Sequence, residues 1–160
     1  MAGHRKNMRK IGILALPGAQ MLDISGPLDV FAEANTQIGY KAYALFVVGI
    51  SDRPIESSSG MRFLPDCTVD DALARFDTLL IAGAPGLKNT HYEPKIVDWI
   101  RRVAPHCRRY GSICTGALLL GASGLLDGRR VTTHWAVVDQ LARASPAAEI
   151  EPDALHVRDG

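Results

Sequence analysis

Cys114 is the residue whose neighbours could make it reactive. It lies in Arg109-Tyr110-Gly111-Ser112-Ile113-Cys114-Thr115-Gly116-Ala117-Leu118-Leu119-Leu120, a short run that arrives at one thiol and continues as a helix-like apolar stretch. Glycines stand three residues before the cysteine and two after it. A strand that ends, bends sharply and gives way to a helix presents the side chain at the bend, the layout of a nucleophile elbow. Small neighbours are needed because backbones crowd at the bend and its apex is strained. A helix N-terminus beneath the sulfur would aim unpaired N–H groups and the positive end of the helix dipole at it, which predicts a thiolate-favouring site. The alternative is an inert cysteine packed at a strand end.

Three further side chains could work with that thiol. Asp23 could take its proton or hydrogen-bond the thiolate, and a buried carboxyl can itself be protonated; it could equally cap the helix that follows it. Thr115 would offer a hydroxyl and a backbone N–H just past the nucleophile, suited to an oxyanion or a ligand carbonyl. His134 follows a short predicted strand and is either a base or ligand contact or a structural residue. Gly83-Ala84-Pro85-Gly86 ends another strand, where Gly83 and Gly86 let backbone approach a ligand closely.

These residues need a scaffold, and the apolar pattern supplies one. Ile11–Leu16, Ala42–Ile50, Asp77–Gly83, Tyr110–Ile113 and Arg130–Thr133 read as strands. Helices are expected from Pro27 to about Gly39 with Ser25 or Gly26 as cap, around Asp70 to Arg75, from Pro94 to Val103, from the elbow to about Ala122, and from Trp135 to Ala144. Ile55–Pro65 reads as a small hairpin, and Glu149–Gly160 holds one or two short strands. Strands alternating with helices predict an α/β three-layer sandwich around a mainly parallel sheet, flavodoxin-like. Ligands of such sheets gather beyond the carboxyl ends of the strands. Asp23, Gly83–Gly86 and Cys114 all fall on that edge.

The whole chain narrows the classes. At 160 residues it is one domain (11–160) behind a charged, flexible arm (1–10). Apolar residues make up 47% and charged residues 22%, with a net charge of +1, so the chain as a whole is not suited to a polyanion. Three scattered cysteines argue against a disulfide framework and fit a reducing, cytoplasmic setting. No apolar run is long enough to span a bilayer. The five histidines lack metal-ligand spacing and no phosphate-cradling glycine motif occurs, so neither a metal nor a cofactor is expected. Arg101, Arg102, Arg108 and Arg109 read as a solvated basic patch.

Two segments carry a family resemblance. Leu22-Asp23-Ile24-Ser25-Gly26-Pro27-Leu28-Asp29-Val30-Phe31 is similar to the acidic first-strand motif of the ThiJ/PfpI group, within the class I glutamine amidotransferase-like superfamily. Ser112-Ile113-Cys114-Thr115-Gly116, continued through Gly124-Leu125-Leu126-Asp127-Gly128-Arg129-Arg130-Val131-Thr132-Thr133-His134-Trp135, resembles its elbow and following strand. One branch of that group is the N-terminal sensing domain of AraC-type transcriptional regulators. Ile55–Met61 and the closing Glu151–Gly160 look more like this branch. The other is isocyanide hydratase, whose catalytic aspartate, cysteine and threonine would fall on Asp23, Cys114 and Thr115.

The resemblance implies a domain that binds a small-molecule effector through Asp23, Gly83, Gly86, Cys114, Thr115 and His134. It further implies a homodimer that reaches DNA only through a helix-turn-helix domain outside this sequence, with no membrane partner. An isocyanide hydratase-like cysteine enzyme is the rival, and a redox-sensing cysteine protein the third reading; the regulator reading, in which the domain is not an enzyme, is preferred. Members of the group continue past Val157-Arg158-Asp159-Gly160 with a further strand and a closing helix, so the family fold is expected to be incomplete at the C-terminus here. Many relatives also carry a histidine where this chain has Thr115, which argues against protease-like chemistry.

Overall fold

Strand β1 (Arg9–Leu14) is the centre of the molecule, as the run of four fully buried residues from Ile11 to Leu14 requires. The structure is a computed structural model that describes residues 8–71, 75–89 and 91–160. Helix α1 (Met21–Ile38) follows, then β2 (Tyr43–Gly49), a hairpin of β3 (Ile55–Glu56) and β4 (Arg62–Phe63), and β5 (Cys67–Thr68). Next come β6 (Thr78–Ile81), α2 (Pro94–Val103), β7 (Arg109–Ser112), α3 (Gly116–Ala122), β8 (Arg130–Val131), α4 (Val138–Ala144) and β9 (Glu149–Ile150). Five strands form one parallel sheet in the order β5-β2-β1-β6-β7, while β3–β4 and β8–β9 form separate pairs.

Alternation along the strands sorts the core into two halves. Leu14, Val48, Leu79 and Ile81 face one way and pack with α2, α3 and α4 through Trp99, Ile100, Leu118, Leu119 and Leu141. Ile13, Val47 and the half-buried Leu80 face the other way, toward Ile24 and Leu28 of α1 and Ile55 and Phe63 of the hairpin. This is the expected three-layer sandwich. The Arg101 guanidinium donates to the carbonyls of Ala122 and Ser123 at the end of α3, and Arg108 forms a fork on Asp77. Two of the four basic-patch arginines are therefore tied to protein groups rather than simply solvated. Among the described residues no helix is long and apolar enough to cross a membrane.

Several boundaries differ from the sequence reading. Strand β1 begins at Arg9, so Arg9 and Lys10 belong to the sheet rather than to the arm, and residues 1–7 lie outside the described residues. Helix α1 begins at Met21, six residues before Pro27, which sits inside it; Ser25 and Gly26 are helical and cap nothing. At this seventh helical position proline supplies no N–H to the Asp23 carbonyl and its ring crowds that group, so the helix passes through Pro27 at a local cost. The helix expected around Asp70–Arg75 falls largely on residues 72–74, outside the described residues. Strand β8 pairs with β9 and not with the central sheet, so His134 does not follow an inner strand. Trp135–Val137 is a 3-10 turn that leads into α4.

Candidate functional site

Cys114 has φ 55°, the one left-handed non-glycine residue among the described residues. An L-residue is strained there, and two close packings fix the conformation. A Cβ on Gly116 would lie 2.2 Å from the Ile81 carbonyl oxygen, so only glycine lets α3 start directly against β6. The Ile113 N–H is bonded to that same Ile81 carbonyl at 2.9 Å. The bend is thus wedged between its own strand and its neighbour.

Gly83 is where the three predicted segments meet. Its N–H donates to Asp23 Oδ2 at 3.0 Å and its carbonyl accepts the Gln20 N–H at 2.8 Å, stitching the end of β6 to the start of α1. A Cβ at Gly83 would stand 2.6 Å from Asp23 Oδ2, 2.9 Å from Cys114 Cβ and 3.0 Å from the Thr115 nitrogen. Asp23 therefore caps no helix; it lies in the first turn of α1 and uses its carboxyl to hold the loop beneath the cysteine.

Thr115 is buried, and its hydroxyl is engaged. Oγ1 accepts the Ala84 N–H and donates to the Ala84 carbonyl, both at 3.0 Å. That hydroxyl fastens the Gly83-Ala84 loop to the start of α3. Thr133 was not foreseen: its hydroxyl donates to the Cys114 carbonyl at 3.0 Å and anchors the β8–α4 connection to the elbow. That connection sets His134 at the site, with Nδ1 accepting the Ala136 N–H and the ring 5.2 Å from that of the exposed Trp135.

A cleft of about 110 Å³ opens above the elbow, lined by Gln20, Ala84, Pro85, Lys88, Cys114, Thr115 and His134. Gln20 and Lys88 were also missed by the sequence reading. Lys88 ends the 3-10 turn that follows the glycine loop, and nothing in its type or spacing marked it. Gly83 lies beneath Cys114 rather than on the cleft wall. Gly86 is exposed, does not line the cleft, and would accommodate a Cβ with nothing within 4 Å. A larger trough of about 590 Å³ follows the open edge of β7, bounded by Tyr110–Cys114 on one side and by Val131, Leu155 and Arg158 on the other. It runs along the sheet-edge strand β7, whereas the smaller cleft gathers Gln20, Lys88, Thr115 and His134 around the thiol.

The electrostatics reverse one expectation. Burial pushes the Cys114 thiol above its ordinary pKa; the Thr115 N–H opposes this, the Asp23 carboxylate adds to it, and the Thr115 hydroxyl and Lys88 pull back. Helix α3 is only seven residues long and starts two residues beyond the sulfur, so its terminus does not overcome desolvation. Burial also raises Asp23, against the Gly83 N–H and a smaller influence of His134. Cys107 is pushed up to about 11, chiefly by burial, and Cys67 is raised for the same reason. Among the described residues no group of three or more His, Cys, Asp or Glu side chains is placed to hold a metal ion.

Residues 9–160 match the model of the DJ-1/PfpI family. An uncharacterized protein from the cpoL 5' region of Streptomyces lividans is 40% identical over 86% of this chain and 96% of its own length. The isonitrile hydratase of Pseudomonas putida is 36% identical over 82% of this chain, which spans only 55% of that enzyme. The HTH-type transcriptional regulator GbdR of Pseudomonas aeruginosa is 27% identical over 88% of this chain and 38% of the regulator. A solved ThiJ/PfpI family protein from Pseudomonas syringae superposes with a TM-score of 0.79 at 26% identity, covering 96% of this chain and 60% of that one.

Proposed function

The chain belongs to the DJ-1/PfpI family, and from that premise we propose that it is the ligand-sensing domain of an AraC-family transcriptional regulator. In this reading a small effector enters the cleft above Cys114, His134 and Lys88, and its occupancy shifts a homodimer or domain contact. A helix-turn-helix domain outside this sequence then reads the DNA. The observation that carries the reading is the state of the elbow. Its thiol is held toward the protonated form by burial, and the neighbouring hydroxyl holds the Ala84 loop in place. Those features suit a cysteine that contacts a ligand better than one that attacks it. The near-neutral charge of +1 also suits a domain that does not itself hold DNA.

The test is the coding region read through to its stop codon. A helix-turn-helix segment in the same frame supports the proposal, and a frame that closes without one removes it. With the full protein, a Cys114→Ser variant that keeps effector-dependent DNA binding would mark the thiol as a contact rather than a nucleophile.

A second reading rests on the 36% identity to the isonitrile hydratase. Cys114, as the thiolate, would add to the electron-poor isocyanide carbon, with Asp23 handling the proton and Thr115 holding the loop. Formamide production from an isocyanide that disappears in Cys114→Ala would favour it; no turnover in the wild type would discard it. A disulfide-based redox role is disfavoured by topology. Cys107 and Cys114 bracket the two ends of β7, some 20 Å apart in extended chain, and Cys67 lies on the opposite edge of the sheet. A disulfide needs Cα atoms within about 7 Å.

A further inference from the structure

We propose that the cleft above Cys114 takes a small carboxylate, with the Lys88 ammonium pairing its charge; the inference rests on the sensing role proposed above and names the ligand class. The argument is a count of spare hydrogen-bonding capacity on the cleft wall. Gln20 Oε1 already accepts the Ser58 hydroxyl, so its free polar group is the amide NH2. His134 Nδ1 already accepts the Ala136 N–H, so the proton of the neutral ring sits on Nε2, a donor. The Thr115 hydroxyl proton is directed to the Ala84 carbonyl. Lys88 Nζ has no carboxylate partner among the described residues and brings three N–H groups and a full charge.

The unused polar hydrogens around the cleft therefore belong to Gln20, His134 and Lys88. Asp23, the carboxyl group nearest the thiol, is not part of the wall, and its Oδ2 is committed to the Gly83 N–H. Three donor side chains, one of them a cation without a carboxylate partner among the described residues, favour a ligand that brings acceptors and a negative charge. Size limits it further. At about 110 Å³ the cleft is well below the cavities of about 300 Å³ and more that hold drug-sized ligands. A short acyclic carboxylate fits both limits, and its neutral amide analogue meets only the second.

Cys114 reports on this directly. Iodoacetate and iodoacetamide are near-isosteres that both react through the same thiolate, so thiol pKa and access largely cancel in the ratio of their rates. What remains is the charge that the reagent's carboxylate meets on the cleft wall, which Lys88 lines and Asp23 does not. With Cys67 and Cys107 as internal references, read by peptide mass analysis, the iodoacetate-to-iodoacetamide ratio at Cys114 should exceed theirs by about fivefold at low salt. It should fall toward them in 0.5 M NaCl, since salt screens a rim charge. Lys88→Met should abolish the excess, and Lys88→Arg should retain it. Propionate, but not propionamide, should slow alkylation of Cys114 by iodoacetamide.

An equal or lower ratio at Cys114 in the wild type, a ratio untouched by Lys88→Met, or equal protection by propionamide would overturn the proposal. The assay needs neither DNA nor turnover. A coding region without a helix-turn-helix would end the sensing role and leave this result standing, whereas a failed ratio would remove the carboxylate and leave the sensing role intact.

Discussion

Asp23 Oδ2 accepts the N–H of Gly83 at 3.0 Å, joining the first turn of α1 to the end of β6 directly beneath the cysteine. The contact is possible because Gly83 has no side chain. Gly83→Ala would push a methyl to 2.6 Å from that oxygen and 2.9 Å from Cys114 Cβ. Neither atom belongs to a free-swinging chain end. The variant should lose roughly 1–3 kcal/mol in urea unfolding and alter the alkylation rate of Cys114, whereas Gly86→Ala, with open space around it, should leave both unchanged.

The raised pKa of Asp23 gives stability a pH signature. In the window from its unfolded value of 3.8 up to the raised folded value, the folded state binds more protons than the unfolded one. Its contribution therefore favours the fold below 3.8 and turns unfavourable as pH rises through that window. Asp23→Asn keeps an oxygen for the Gly83 N–H and removes the buried charge. The melting temperature of the variant relative to wild type should climb between pH 3.5 and pH 7; a flat difference would place Asp23 in a water-like environment.

Much of this site was legible in the sequence. Glycines flanking one cysteine marked the elbow, although only Gly116 is required by crowding while Gly111 would take a Cβ at 3.9 Å from its nearest neighbour, and the apolar periods of β1, β2 and α2 indicated the layers. Other parts were not legible, for physical reasons. Pro27 looked like the first turn of a helix that in fact starts at Met21, because tertiary stitching through Gln20 and Gly83 outweighs the local proline signal. The thiol's protonation reversed because burial depends on contacts between distant segments, and no motif encodes it. Thr133 and Lys88 act through where their loops cross the elbow, which spacing along the chain does not reveal.

Left-handed backbone at Cys114 predicts an inverted substitution order. Alanine is normally better than glycine in a folded chain, because glycine loses more entropy on folding. At φ 55° the preference reverses, since glycine alone adopts that conformation without strain. Cys114→Gly should exceed Cys114→Ala in stability by about 1 kcal/mol, measured by denaturant midpoint at constant slope. Alanine proving the more stable of the two would mean that the bend relaxes when the thiol is removed.

Thr115 should behave as a fastener. Thr115→Val keeps the shape but leaves the buried Ala84 N–H unpaired and the Ala84 carbonyl with the Leu87 N–H alone. A loss of roughly 2–4 kcal/mol is expected, while Thr115→Ser, which restores the hydroxyl, should stay within about 1 kcal/mol of wild type. Equal stability of the two variants would show that the hydroxyl is not what holds the loop.

The contact between Gly116 and the Ile81 carbonyl has a bearing on how this pocket could diverge among relatives. Because not even a methyl fits at that point, the floor that carries the sulfur cannot be re-tuned by small steps; it moves with β6 or not at all. Pro85, Lys88 and His134 sit on the opposite wall, on connections whose side chains meet little resistance. New ligand preferences would arise by exchange on that rim, over a base that stays still.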